Sequence, residues 1–202
     1  MRYLWPAGTD VGLDVLAAPN MRGVPSAIVN GARWAADLGC IDGPEFVKRC
    51  DVDQARRWLF ETMRPYRRQC LFVTVPDVVG DAAATLKAFS DLWLQFVGWP
   101  LAYVAQDGSE NYRFPLGARA VFIGGSTEWK MSGSAISVIR RAADGGMHVH
   151  IGRVNYWKRY SHFRLLEGSE NFTCDGTRLR YERDKAERSW KAYRLQDKLF
   201  SI

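Results

Sequence analysis

The feature that most constrains this chain is a repeated local pattern, an apolar and β-branched run that stops at a polar or glycine tip. The fullest copy is CLFVTVPDVVG, from Cys70 to Gly80, where the run meets Pro76 and Asp77. A strand buried on both faces reads this way, because a parallel strand covered by helices has no solvent face to make polar. LAYVA runs into Gln106 and Asp107, AVFI into Gly124 and Gly125, MHVHI into Gly152, Arg153 and Asn155, and NFTC into Asp175 and Gly176. Spacings of about 20 to 30 residues suit a strand, a crossover and a return. The expected fold is α/β, a compact (β/α) barrel of TIM type with chemistry on its C-terminal rim.

Tyr3 to Trp5 and Ala27 to Asn30 bring the expected strands to about seven, whereas a full barrel has eight and about 250 residues. At 202 residues the chain should form one domain, a trimmed or incomplete barrel or an open α/β sheet of similar pattern. Asp51 or Asp53 can cap a helix to about Arg64, with Ala55, Trp58, Leu59 and Met63 inward and Pro65 ending it. Asp81 can cap a second to about Phe96, and Ser132 to Ala143 reads as a third, stopped by Gly145. DGSENYRFPLG is too turn-rich for a helix and predicts an irregular loop. Tyr156 to Glu167 predicts a helix, and the charged stretch Tyr181 to Leu199 a C-terminal surface helix.

Hydrophobic residues make up 47% of the chain, enough for one sizeable core, and the net charge of +6 permits a polyanionic partner. No apolar run approaches the roughly 20 residues of a spanning helix, and none follows Arg2 as a signal peptide would require. The expectation is a soluble, cytoplasmic protein without a membrane partner. Cys40, Cys50, Cys70 and Cys174 show no CxxC pair and predict neither a zinc knuckle nor a disulfide framework. They read as buried or neutral thiols, with Cys174 near a site by its adjacency to Asp175. Phosphate-loop, dinucleotide and GxSxG patterns are absent, which argues against the enzyme classes they define.

Asp37, Asp77 and Asp175 stand at three strand ends, with Gln106 and the pair Gly124 and Gly125 at two more. If those ends share a rim, they combine a nucleophile, a general acid/base and hydrogen-bonding groups for a planar polar ligand. Taken singly, each Asp is equally a helix cap or a turn-former, and the glycines equally a sharp turn. RVNYWKRYSHFR, from Arg153 to Arg164, interleaves four cations with Tyr156, Trp157, Tyr160 and Phe163. It reads either as a nucleic-acid contact through Arg153, Asn155, Trp157, Lys158 and Arg159 or as an amphipathic helix with an aromatic core face. Arg67 and Arg68 precede a strand and are expected on the opposite rim, solvated.

WAADLGC, FVTVPDVVGD, AYVAQDG, VFIGGSTEWK, VHIGRVN and CDGT, taken in order from Trp34 to Thr177, resemble the phage-type DNA 7-deazaguanine transglycosylases. These are small relatives of the tRNA-guanine transglycosylases. The resemblance implies a (β/α) barrel that removes guanine from DNA and installs a 7-deazaguanine, such as free 7-cyano-7-deazaguanine, through a covalent Asp-deoxyribose intermediate. It implies Asp175 as nucleophile, Asp37 as general acid/base, and Asp77, Gln106, Gly124 and Gly125 as base-binding. The residue types suit that chemistry. A sugar carbon with oxocarbenium character needs a carboxylate on one face, and a second carboxyl group can move the proton of the departing and arriving base. Double-stranded DNA would have to flip its guanine out, which gives the Arg153 to Arg164 segment a role in holding the strand.

The tRNA enzymes' zinc site has no counterpart here, so neither a metal nor another cofactor is expected. Their DSGG motif stands here as Asp37-Leu38-Gly39-Cys40. So short a barrel is expected to close with the C-terminal helix or with a second copy, as a homodimer. Two other functions fit the same residues: a non-catalytic nucleic-acid-binding module, or a nucleoside hydrolase or deoxyribosyltransferase.

Overall fold

The computed structural model describes residues 2–6, 14–21, 23–45, 49–155, 162–163 and 171–176, with the backbone alone at 2, 3, 5 and 6. Its frame is a curled sheet in which every pairing is parallel. The strands are β1 (Arg2–Tyr3), β2 (Trp5–Pro6), β3 (Val15–Ala17), β4 (Trp34–Ala36), β6 (Cys70–Thr74), β8 (Leu101–Ala105), β9 (Ala120–Ile123), β10 (His148–Ile151) and β11 (Phe172–Cys174). A short second sheet at the rim pairs β5 (Cys40–Asp42) with β7 (Asp77–Val78). Residues 2–6 lie between β11 and β3, since β1 pairs with β11 and β2 with β3.

Alternation along these strands sorts the core into two layers. Leu4, Ala35, Phe72, Ala102 and Ala120 cluster on the inner face of the curl. Their neighbours in sequence, among them Trp34, Val73, Tyr103 and Val121, join the helices in the outer core. Because the period is 2, Asp37 continues the inward set begun by Ala35, Gln106 that of Ala102, and Gly124 that of Ala120. Strand parity alone therefore carries the inner face up to the rim at the tips.

The helices form where their caps allow. Asp51 accepts a hydrogen bond from the Gln54 N–H at 2.9 Å and starts α2 (Val52–Arg57), which widens into a π-helix at Trp58–Met63 and tightens to a 3₁₀ turn at Arg64–Gln69. Ala55, Trp58, Leu59 and Met63 are buried, as their spacing requires. Asp81 caps α3 (Ala82–Leu92) through the Ala84 N–H, and Ser132 caps α5 (Gly133–Asp144). Between β8 and β9 the chain makes only one 3₁₀ turn at Ser109–Asn111, so this crossover is trimmed to a loop.

One expected strand is instead a helix. Ala27 to Asn30 falls within α1 (Ser26–Val29), where the Pro25 carbonyl accepts from the N–H groups of Ile28 and Val29 at 2.9 and 3.2 Å. The β-branched pair favours strand, but Pro25 fixes the turn geometry that starts a helix. The strands of this region are β3 and β4, on either side of α1. The expected helices at Tyr156 to Glu167 and Tyr181 to Leu199 lie outside the described residues, save His162 and the buried Phe163. No described helix is long and apolar enough to cross a membrane.

Candidate active site

Asp37, Asp77, Gln106, Gly124, Gly125, Arg153 and Asp175 line one cavity of about 280 Å³ at the C-terminal ends of the strands. Apart from the adjacent Gly124 and Gly125, each arrives from a different strand tip or turn, so the cluster exists only once the sheet has curled. Asp37 follows β4, and its N–H donates to the Ala17 carbonyl while its Oδ1 accepts from the Gly39 N–H at 3.0 Å. The turn holding this carboxylate thus uses the glycine of Asp37-Leu38-Gly39, which sits at φ +87°.

Asp77 stands in β7 opposite Cys40, almost buried at 8% exposure. Gln106 donates from Nε2 to Asp77 Oδ2 at 2.5 Å, and its Oε1 accepts from the N–H groups of Gly80 and Gly125 at 3.1 and 3.2 Å. This amide is held at both ends, which fixes the acid beside it. Burial, with the Asp37 charge as second cause, raises Asp77 to about 7.

That shift has a sign. Between pH 4 and about 7 the folded protein holds the Asp77 proton more tightly than the unfolded chain, so stability present below pH 4 is lost as pH rises through 7. Asp77→Asn is expected to flatten this slope and to raise the melting temperature at pH 8, recovering on the order of 2 to 4 kcal/mol. Thermal melts of both proteins from pH 4 to 8 check it, and parallel slopes would mean that Asp77 ionises without penalty.

The glycine pair is required by contact. A Cβ on Gly124 would lie 2.9 Å from both Gln106 Nε2 and Val104 Cγ1, and one on Gly125, at φ +43°, would lie 2.5 Å from the Trp129 ring and 2.7 Å from Asp107 Oδ1. A side chain at Gly124 would thus displace Gln106 or Val104, and one at Gly125 would displace Trp129 or Asp107. Asp107 accepts from the Ser126 N–H and hydroxyl, both at 2.6 Å, and ties the loop after β8 to the start of α4 (Thr127–Lys130).

Asp175 is held by β10 and the turn that follows it. Its Oδ1 accepts from the Arg153 N–H at 2.9 Å and lies 3.1 Å from His150 Nε2. Arg153 adopts φ +61°, a left-handed backbone that a non-glycine residue enters at a cost of about 1 to 3 kcal/mol. The turn places its N–H on Asp175, so the strained residue is a donor of the site.

Asn155 is not among the residues lining this cavity, and Trp157, Lys158 and Arg159 lie outside the described residues. Cys174 faces the outer core, opposite to Asp175, because neighbours on a strand point to opposite faces. Cys40 is the thiol at the cavity, and burial followed by the Asp77 charge raises its pKa. Arg67 and Arg68 are exposed beside Arg119, below the N-terminal end of the sheet.

Lys130 and His150 belong to the site without having been singled out from the sequence. Lys130 is 4% exposed, lines the cavity and donates from Nζ to the Gly152 carbonyl at 3.0 Å. Its signal was the Ser126 cap, which starts a turn directly at the glycine tip. The signal for His150 was the alternation in MHVHI, which puts both imidazoles on one face. Among the described residues no group of three or more His, Cys, Asp or Glu is placed to hold a metal ion.

No protein-family model matches the chain, and a search of curated proteins returns no match.

Proposed function

We propose that the protein is a DNA base-exchange enzyme on a compact TIM-type (β/α) barrel, replacing guanine with a 7-deazaguanine. The observation that carries this reading is the convergence of Asp37, Asp77, Gln106 and Asp175 on one cavity of about 280 Å³. That volume is near the small end of ligand sites and suits one extruded nucleoside better than an oligomer. Three carboxylates beside a fixed amide suit a glycosidic reaction at a purine-like base.

In this reading Asp175 attacks C1′ of the flipped nucleotide, and the C1′–N9 electron pair leaves with guanine. Asp37 supplies the proton to the departing base and takes one from its replacement. Above about pH 7, where Asp77 is ionised, it accepts from the ring N–H and amino group of either base, with Gln106 beside it. The exposed Arg153 at the cavity would offer positive charge to an approaching phosphodiester strand, in keeping with the net charge of +6.

The test is incubation with duplex DNA carrying labelled guanine, with and without 7-cyano-7-deazaguanine, and with tRNA in parallel. Label is expected to leave the DNA only when the free base is present. Release without added base would make the protein a glycosylase, release from tRNA alone would change the substrate, and no release would favour a binding module.

A further inference from the structure

A hydrogen-bonded chain of side chains runs down the inner face of the sheet from Asp175, on two strands paired in register. His150 and Thr173 are register partners of β10 and β11, and His148 precedes His150 on the same face. His150 Nε2 lies 3.1 Å from Asp175 Oδ1, His150 Nδ1 lies 2.9 Å from Thr173 Oγ1, and His148 Nε2 lies 2.8 Å from the same hydroxyl. His150 and Thr173 are buried, and the His150 ring packs 4.6 Å from the Phe122 ring and 5.1 Å from that of Phe72.

The proton inventory of these groups leaves few arrangements. An ionised Asp175 only accepts, so His150 Nε2 carries a proton and donates. In neutral His150 the Nδ1 lone pair must then accept, and among the described residues only the Thr173 hydroxyl is placed to donate to it. Thr173 has one proton, so it accepts from His148 Nε2–H. Burial, with His150 as second cause, lowers His148 to about 4, which keeps that ring neutral at the pH of the cell. With Asp175 ionised and His150 neutral, every donor in this array points toward Asp175.

We propose that His150 is a positioning residue that selects which oxygen of Asp175 reacts. Among the described residues the two hydrogen bonds to this carboxylate, from His150 Nε2 and from the Arg153 N–H, fall on Oδ1, so Oδ2 is the nucleophile. Resting on the base-exchange reading, the step is balanced as follows. An Oδ2 lone pair forms the bond to C1′, the C1′–N9 pair leaves with guanine, and the Asp37 carboxylic acid gives the base its proton. The other charged groups among the described residues of the cavity are Asp77, Lys130 and Arg153, and the described partners of the imidazole are Thr173 and Asp175. Thr173 acts one step further back, by fixing the His150 tautomer.

Two measurements test this. In His150→Leu the single-turnover rate of exchange is expected to fall about 10²-fold with KM for the free base unchanged, whereas His150→Gln, whose amide can donate from nearly the same place, should stay within about 10-fold of wild type. A structural role gives the opposite order, since Leu suits the aromatic surroundings better than Gln. Equal losses, or a folded Leu variant as fast as wild type, would overturn the proposal. The second is ¹⁵N NMR of the imidazoles in the unmodified protein near neutral pH, where His150 should carry its proton on Nε2 and lose that preference in Thr173→Val. A proton on Nδ1 would overturn the proposal whether or not the protein exchanges bases. Absence of exchange in wild type with the Nε2 tautomer present would count against the base-exchange reading and with it against Oδ2 as nucleophile, leaving the hydrogen-bond chain established.

Discussion

Asp175→Asn is expected to abolish base exchange, lowering its rate by about 10⁴-fold or more, because a carboxamide cannot form the ester to C1′. The fold should survive. The Asn carbonyl can still accept from the Arg153 N–H, which is 2.9 Å from Oδ1 in the native protein, so the left-handed turn at residue 153 keeps its partner. Thermal melting should therefore shift little while the labelled-guanine assay falls to background. Retention of full activity would remove Asp175 from the mechanism. A large drop in melting temperature would instead make it a structural anchor of the β10–β11 pair.

The largest stability effect is expected at Trp34→Ala. Trp34 is fully buried on the outer face of β4, its rings edge-on to Trp58 and Trp99 at 6.1 and 5.7 Å. Its indole N–H donates to the Tyr66 carbonyl at 2.9 Å, which pins the 3₁₀ segment Arg64–Gln69 to the sheet. Removing the ring leaves a cavity at a cost of about 3 to 5 kcal/mol and orphans that carbonyl. Against a total of about 5 to 15 kcal/mol for a domain, this variant should be partly unfolded at 37 °C. Trp34→Phe keeps ring contacts and loses the N–H, so about 1 to 2 kcal/mol is expected. Urea unfolding curves of the three proteins order them, and a loss below 1 kcal/mol in the Ala variant would mean that the tryptophan cluster repacks.

The strands that could be read from sequence are those whose apolar or β-branched run stops at a polar or glycine tip, down to the three residues of Phe172–Cys174. Cys70–Thr74, Leu101–Ala105 and Ala120–Ile123 follow their patterns because burial on both faces dictates their composition. Val15–Ala17 and Trp34–Ala36 have three residues each and are rich in alanine, so their extended state comes from pairing with their neighbours. Ile28 and Val29 misled for the complementary reason, a strand-forming pair held in helix by the turn at Pro25. The site was legible as far as it depends on strand tips: Asp37, Gln106 and Asp175 all follow the parity of the strands before them. Lys130 and His150 were not, because a buried cation and a buried imidazole acquire their roles from partners on other strands, Gly152 and Asp175.

The pairing of Arg2 with Thr173 and of Tyr3 with Cys174 also sets a timetable for biosynthesis. β1 is made well before its partner on one side, which lies about 170 positions later, and at ribosomal speed that is a wait on the order of 10 to 30 s. Throughout that time the edge of residues 2 and 3 must remain unpaired or find a temporary cover. A nascent chain stalled before β11 would carry an open strand edge, a natural target for chaperones and a seed for edge-to-edge aggregation. Asp175 follows β11 directly, so the nucleophile proposed for catalysis arrives with the strand that ends this exposure.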